Sequence, residues 1–235
     1  MAASAGELLL EIRAHIGAEP REVVKGEGDR RSHELLTARL AEGHPDDAVL
    51  SEEGKDDPRR LDAARVWIVD PLDGTREFGE PPRTDWAVHV ALVIGGDPVA
   101  GAVALPAQGL VLSTAVPPSV PAPGPRLRLV VSRSRPPASA STLADALHAD
   151  LVPMGSAGAK AMAIVQGAAD VYAHAGGQYE WDSAAPVAVA RAAGLHCSRI
   201  NGSPLVYNRP DPWLPDLLIC RPDQAEAVIA ICRDV

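Results

Sequence analysis

The segment Asp70-Pro71-Leu72-Asp73-Gly74-Thr75 sets two carboxylates three residues apart, just past the short apolar run Val66 to Val69. Such a run reads as a buried strand, so its end would fix both acids at one place. Pro71 restrains the backbone between them. If a helix begins near Gly74, its first N–H groups point outward and favour an anion. One short segment can thus offer two hard oxygen ligands and a cradle for a phosphate. Magnesium takes such ligands and commonly keeps a substrate phosphate as another. The plain alternative is a turn and a helix cap, roles in which Asp, Pro and Gly are common.

Two further acidic segments bear on that choice. Glu52-Glu53 stands eighteen residues before Asp70, and Trp181-Asp182-Ser183-Ala184-Ala185-Pro186 lies far downstream. Alone, the first reads as a solvated pair. Alone, the second reads as a helix start, with Asp182 as the cap and Pro186 in the first turn. The seven histidines are scattered and read as surface or packing residues, so no His/Cys cluster competes for a softer metal. Leu72-Asp73-Gly74-Thr75 overlaps the DxDGT signature of the haloacid dehalogenases, whose first Asp attacks phosphorus. Position 71 is proline, so that nucleophile is missing.

The elements that must position these residues follow from periodicity. Apolar spacing predicts helices over 5–17 and 30–42, then a polar stretch over 43–65. Strands are expected over 66–69, 86–94, 99–105 and 109–115, with a Gly95-Gly96-Asp97 turn, as an antiparallel meander. Five prolines between 116 and 125 mark a loop or lobe boundary. Beyond it come strands over 127–132, 151–154, 170–174 and 216–220. Helices alternate with them over 139–148, 156–167, 183–193 and 223–232. The expected organisation is an α+β lobe over 1–122 that carries the acidic motifs, then an α/β lobe over 123–235.

The chain of 235 residues is 46% apolar, 23% charged and only 3% aromatic, with a formal net charge of −9. That charge argues against a nucleic-acid polymer as partner. It also repels anionic substrates unless bound cations offset it locally. Cys197, Cys220 and Cys232 have neither disulfide-framework nor CxxC spacing. No basic-then-apolar leader or membrane-length apolar run is present, so the expectation is a cytoplasmic protein without a membrane partner.

In order along the chain, Glu52-Glu53, Trp67 through Phe78 and Trp181 through Ala185 resemble the three signature segments of the inositol monophosphatase-like superfamily of metal-dependent phosphatases. Within it, Asp70 through Phe78, Ser132-Arg133-Ser134 and Gly155-Ser156 with Lys160 are most similar to the CysQ type, the 3′(2′),5′-bisphosphate nucleotidases. Gly176 through Asp182 is similar to its actinobacterial version. The resemblance implies an α/β (α+β) fold, the layered αβαβα sandwich of the inositol monophosphatase/fructose-1,6-bisphosphatase type. Its site would lie between the lobes, and dimers are common in the family.

It further implies that Glu52, Asp70, the Leu72 carbonyl, Asp73 and Asp182 hold two or three Mg²⁺ ions. Asp73, Gly74, Thr75 and Asp182 would meet the substrate. Asp29 would act near the site through water, and Glu52 and Thr75 would orient the attacking water. Arg76, Arg133 and Lys160 could meet a second phosphate, or be plain surface cations. Inositol-preferring members carry a glutamate seven residues before the WD aspartate, where this chain has Ala175. No adenine-stacking aromatic stands out, although Tyr172 and Tyr179 lie in the right region. The expected reaction is hydrolysis of the 3′-phosphate of adenosine 3′,5′-bisphosphate, and of its sulfated form, by metal-activated water. Inositol 1-phosphate and fructose 1,6-bisphosphate are the alternatives, and a non-catalytic binding relative is a third. Lithium should inhibit. Asp73 is expected to cap a turn outside any core, so Asp73→Asn should abolish turnover and leave the fold intact.

Overall fold

The computed structural model describes residues 1–16, 18–134, 136 and 139–233. Helix α1 (Ala2–Arg13) and the long helix α2 (Arg21–Gly43) precede a five-stranded sheet. Its strands are β1 (Ala48–Ser51), β2 (Val66–Asp73), β3 (Ala87–Ile94), β4 (Asp97–Leu105) and β5 (Leu110–Ser113), in that spatial order. A single turn of helix, α3 (Thr75–Phe78), follows β2. The expected meander is present from β2 to β5, and β1 adds a parallel edge strand beside β2. Residue 17, the expected end of the first helix, lies outside the described residues.

Helix α2 begins well before the expected position 30. Gly26 and Gly28 dilute its helical signal. Gly28 serves packing: a Cβ there would sit 3.1–3.3 Å from Phe78, Leu72 and Leu9.

The second half adds β6 (Arg128–Ser132), α4 (Ser139–Leu147), β7 (Asp150–Met154), α5 (Ala157–Val165) and β8 (Val171–Tyr179). Then come α6 (Glu180–Ala192), β9 (His196–Ser198), β10 (Trp213–Cys220) and α7 (Ala225–Arg233). The second sheet runs β7-β6-β8-β10-β9. Strand β8 continues past the expected residue 174, through Gly176 and Gly177, with a register shift against β10. Helix α6 starts at Glu180, so Pro186 falls in its second turn and not its first.

Five layers result. Leu9, Ile12, Leu36 and Leu40 of α1 and α2 pack on Val69, Val88 and Ala104 of the first sheet. Helices α5 and α6 fill the space between the sheets, with Ile164 and Val187 meeting Ile68 and Val103 on one side and Tyr172 and Ile219 on the other. Helices α4 and α7 cover the outer face of the second sheet through Leu143 and Val228. This is the expected αβαβα sandwich. Helix α6 lies directly on β4: a Cβ on Gly101 would be 2.8 Å from Ala188 Cβ and 3.1 Å from the Ala185 carbonyl oxygen. Among the described residues no helix is long and apolar enough to cross a membrane.

Candidate metal and phosphate site

Asp70 and Asp73 end β2, where a regular strand would point residues three apart to opposite faces. The ladder slips between them: Asp70 pairs with His89, and Asp73 with Ala87. This bulge re-aims the second acid. Oxygens of Asp70, Asp73 and Asp182 consequently lie within 4.8 Å of one another. Asp182 is the third residue of α6 and accepts the Tyr179 N–H at 2.6 Å, which fixes its carboxylate at the helix start. Glu52 follows β1 and lies close enough for its charge to act on Asp70.

A buried bridge holds the remote pieces in place. Arg60, in the loop after Glu52, donates to Asp56, to Asn208 Oδ1 at 2.7 Å and to the Arg209 carbonyl at 2.9 Å. Glu180, at the start of α6, accepts the N–H groups of Asn208 and Arg209 at 2.6 and 2.9 Å.

The electrostatics are those of crowded like charges. Burial, then Glu52 and the other acids, holds Asp70 well above the carboxylate range. Burial and Asp182 push Glu52 up to about 7. Burial and Asp73 push Asp182 up to about 6. Asp29 is raised to about 7 by burial and Glu53. Asp70 Oδ1 accepts the Leu72 N–H at 3.0 Å, but the buried Oδ2, 3.8 Å from His89 Nδ1, has no hydrogen-bond partner among the described residues. An orphaned buried carboxylate oxygen inside a set of oxygen donors fits a hard divalent cation. The Leu72 carbonyl, close by in sequence, accepts the Thr75 hydroxyl at 3.1 Å, and Asp29 Oδ1 lies 3.4 Å from the same hydroxyl.

Asp73 behaves differently because α5 begins on it. The Ser156 hydroxyl donates to Asp73 Oδ2, Gly158 N–H donates to the same oxygen at 2.7 Å, and Ala157 N–H reaches Oδ1 at 3.2 Å. Ser156 also caps α5 itself by accepting the Ala159 N–H at 2.9 Å. Burial alone would raise the Asp73 pKa, but His89, Ser156 and Lys160 outweigh it and hold it at about 2. The expectation that Asp73 merely caps a turn is therefore corrected. It is a buried junction between β2, β3 and α5.

His89 is the residue that sequence reasoning missed. It is fully buried in β3, with Nδ1 3.0 Å from the Trp181 carbonyl and Nε2 3.3 Å from Asp73 Oδ2. It is neither a surface nor a plain packing histidine. The one available signal was a polar residue inside the apolar run Ala87 to Ile94, and its meaning needs the pairing with Asp70.

Asp73 and Asp182 border a cavity of about 740 Å³ whose lining also includes Gly74, Thr75, Arg76 and Lys160. Gly74 has φ +85°, and a Cβ there would sit 3.0 Å from Ser156 Cβ, so glycine lets this turn pass α5. Arg76 is exposed and, among the described residues, unpaired. Lys160 is buried and donates to the Ser156 carbonyl at 2.7 Å. Arg133 does not line the cavity. It donates to Glu77 Oε1 at 2.7 Å and Glu80 Oε2 at 2.9 Å, which occupies it as a structural cation.

The sequence pattern of the Inositol monophosphatase family matches residues 3–118 and 124–234. A Mycobacterium tuberculosis protein named 3′-phosphoadenosine 5′-phosphate phosphatase is 51% identical over 242 residues, covering 98% of this chain and 90% of the relative. The 3′(2′),5′-bisphosphate nucleotidase CysQ of Escherichia coli K12 is 32% identical over 238 residues, covering 91% of this chain and 94% of the relative. Among solved structures, CysQ from Bacteroides thetaiotaomicron matches with a TM-score of 0.79 at 29% identity, covering 94% of each chain. Inositol monophosphatase II from Staphylococcus aureus, at 17% identity and a TM-score of 0.80 over 97% of this chain and 90% of its own, shares the fold. The chain belongs to the inositol monophosphatase family.

Proposed function

We propose that the chain is a Mg²⁺-dependent phosphatase that hydrolyses the 3′-phosphate of adenosine 3′,5′-bisphosphate to give AMP. The observation that carries the reading is the convergence of Asp70, Asp73 and Asp182, with Asp73 and Asp182 on the wall of a nucleotide-sized cavity and Asp70 Oδ2 without a hydrogen-bond partner among the described residues. The names of the relatives at about half identity support the substrate. Glu52, Asp70, Asp73, Asp182 and the Leu72 carbonyl would hold two or three ions. Bound there, the ions would supply Lewis acidity to the phosphoryl oxygens and lower the pKa of a water.

The protein's own groups do the rest. Gly74 and Thr75 lie on the cavity wall at the start of α3, where their N–H groups can meet the scissile phosphate. Thr75 Oγ1, between Asp29 and the Leu72 carbonyl, orients the attacking water. Glu52, beside Asp70, is the carboxylate placed to take the proton that this water loses. The water oxygen bonds to phosphorus as the bond to the ribose 3′-oxygen breaks; that oxygen takes a proton from solvent as it leaves, and Glu52 gives its proton back to solvent. Arg76 is the cation available for the 5′-phosphate. Three unpaired thiols support a cytoplasmic setting.

Phosphate release tests this reading. Adenosine 3′,5′-bisphosphate should be the fastest substrate in a panel with inositol 1-phosphate and fructose 1,6-bisphosphate. EDTA should stop release and excess Mg²⁺ restore it. Faster release from either sugar phosphate would overturn the substrate assignment, and full activity in EDTA would overturn the metal.

A further inference from the structure

One end of the cavity is aromatic, and nothing in the chemistry above uses it. Tyr179 closes β8 and Trp213 opens β10, and the two are direct partners across the ladder. Their rings meet edge to face with centroids 5.3 Å apart and an interplanar angle of 79°. The Tyr179 ring is also stacked on Trp181, at 4.7 Å and 10°. Both Tyr179 and Trp213 line the cavity, and they stay 42% and 40% exposed. In a chain with 3% aromatic residues, three rings gathered beside the catalytic carboxylates are a concentrated feature.

The corner is also held rigid. Gly177 has φ +85°, and a Cβ on it would lie 1.7 Å from Trp213 Cζ2. Only glycine lets the indole lie against the β8 backbone, so the ring is seated before any ligand arrives. Gln178, between Gly177 and Tyr179, borders the same cavity, and neither polar atom of its buried carboxamide has a hydrogen-bond partner among the described residues. Such an amide gains from a polar partner on a ligand.

We infer that the Tyr179–Trp213 corner is a nucleobase platform, on which the base of the substrate stacks while its phosphates lie against Thr75, Arg76 and Lys160. The inference rests on the nucleotide reading above and deepens it. A flat π-face fits this corner, whereas an inositol or fructose ring offers it only hydroxyls. Trp213 is thus a specificity-determining residue and takes no part in bond breaking.

The test is binding of AMP and of its base-free counterpart ribose 5-phosphate, measured by calorimetry with Mg²⁺ present. Trp213→Ala should weaken AMP by about five- to a hundredfold, the range of one base–aromatic stack. Ribose 5-phosphate should stay within about twofold, and Trp213→Phe should restore most of the AMP affinity, since any aromatic face serves. A melting curve checks that each variant is folded. Unchanged AMP binding in a folded Trp213→Ala variant, or equal weakening of both ligands, would remove the platform while leaving the phosphatase reading in place. Wild-type protein that binds AMP no tighter than ribose 5-phosphate would remove both the platform and the nucleotide substrate.

Discussion

His89 Nε2 faces Asp73 Oδ2 at 3.3 Å in the buried heart of the site, while His89 Nδ1 lies 3.0 Å from the Trp181 carbonyl. A carbonyl only accepts, so Nδ1 carries a hydrogen. A neutral ring would then point the lone pair of Nε2 at a carboxylate. Burial disfavours a charged ring, but Asp73 and the Trp181 carbonyl outweigh it and raise its pKa. An imidazolium facing Asp73 is the state the geometry favours. It offsets one negative charge in the cluster and ties β3 to the residue next to Asp182.

Asp73→Asn should lower turnover by more than about a hundredfold, beyond the 10- to 100-fold typical of groups that only support a ligand. The structure changes the rest of the expectation. Asp73 accepts from Ser156, Ala157 and Gly158 and faces His89, so the variant should also lose on the order of 1–3 kcal/mol of stability. Urea unfolding beside a phosphate-release assay checks both. Wild-type stability in Asp73→Asn would contradict the junction described for it.

Gly158→Ala should be damaging out of proportion to one methyl group. The new Cβ would sit 2.0 Å from His89 Nε2, in a place with no room to yield. A stability loss of about 1–3 kcal/mol is expected, together with weaker Mg²⁺ binding. The double variant Gly158→Ala with His89→Ala should be less unstable than the sum of the two singles. Strict additivity in that cycle would show that the methyl and the imidazole do not compete for one space.

Arg76 and Arg133 should separate cleanly. Arg76→Ala should raise KM for the bisphosphate by about tenfold, the loss of a single charge-assisted contact, and leave stability unchanged. Arg133→Ala should do the reverse. It leaves the buried Glu77 carboxylate without its cation, at a cost of about 1–3 kcal/mol. Its KM should stay near wild type. A KM effect larger for Arg133→Ala than for Arg76→Ala would reverse the assignment.

Metal-free protein should lose stability as pH rises from 5 to 8. Glu52 and Asp29, each at about 7, and Asp182, at about 6, bind protons in the folded state that the unfolded chain releases at about pH 4. Folding is therefore favoured less as pH climbs through that window. His89 acts with the same sign, because its raised pKa gives stability at low pH that is lost as the ring deprotonates. Asp73, at about 2, loses its contribution only in strong acid. Excess Mg²⁺ should raise the melting temperature more at pH 8 than at pH 5, since the cation replaces the missing protons. A melting temperature that climbs with pH in EDTA would contradict these shifts.

The acidic cluster was legible because its residues sit in short motifs of recognisable type. Asp70, Asp73 and Asp182 needed only a fold to bring them together, and the layered sandwich does so, with Glu52 near enough to act on Asp70. Most elements were legible from periodicity for the same reason, as local patterns. What was hidden depended on pairing. His89 gains meaning from lying opposite Asp70 on the next strand, and Trp213 from lying opposite Tyr179, more than thirty residues away in sequence. Arg133 looked free because its partners, Glu77 and Glu80, belong to the other sheet's side of the chain. Strand β8 was cut short in the reading because Gly176 and Gly177 suggest a turn, whereas here they let the backbone bend against an indole.

The close seating of α6 on Gly101 carries a mechanical consequence. Asp182 rides at the head of that helix, whereas Asp70 and Asp73 belong to the neighbouring sheet, so the spacing of the carboxylates is set by how two layers sit against each other. A wedge as small as a methyl at Gly101, remote from the chemistry, would tilt the helix and spread the acids apart. Affinity for divalent cations should therefore act as a strain gauge for the interior, registering a loosened contact before the chain unfolds.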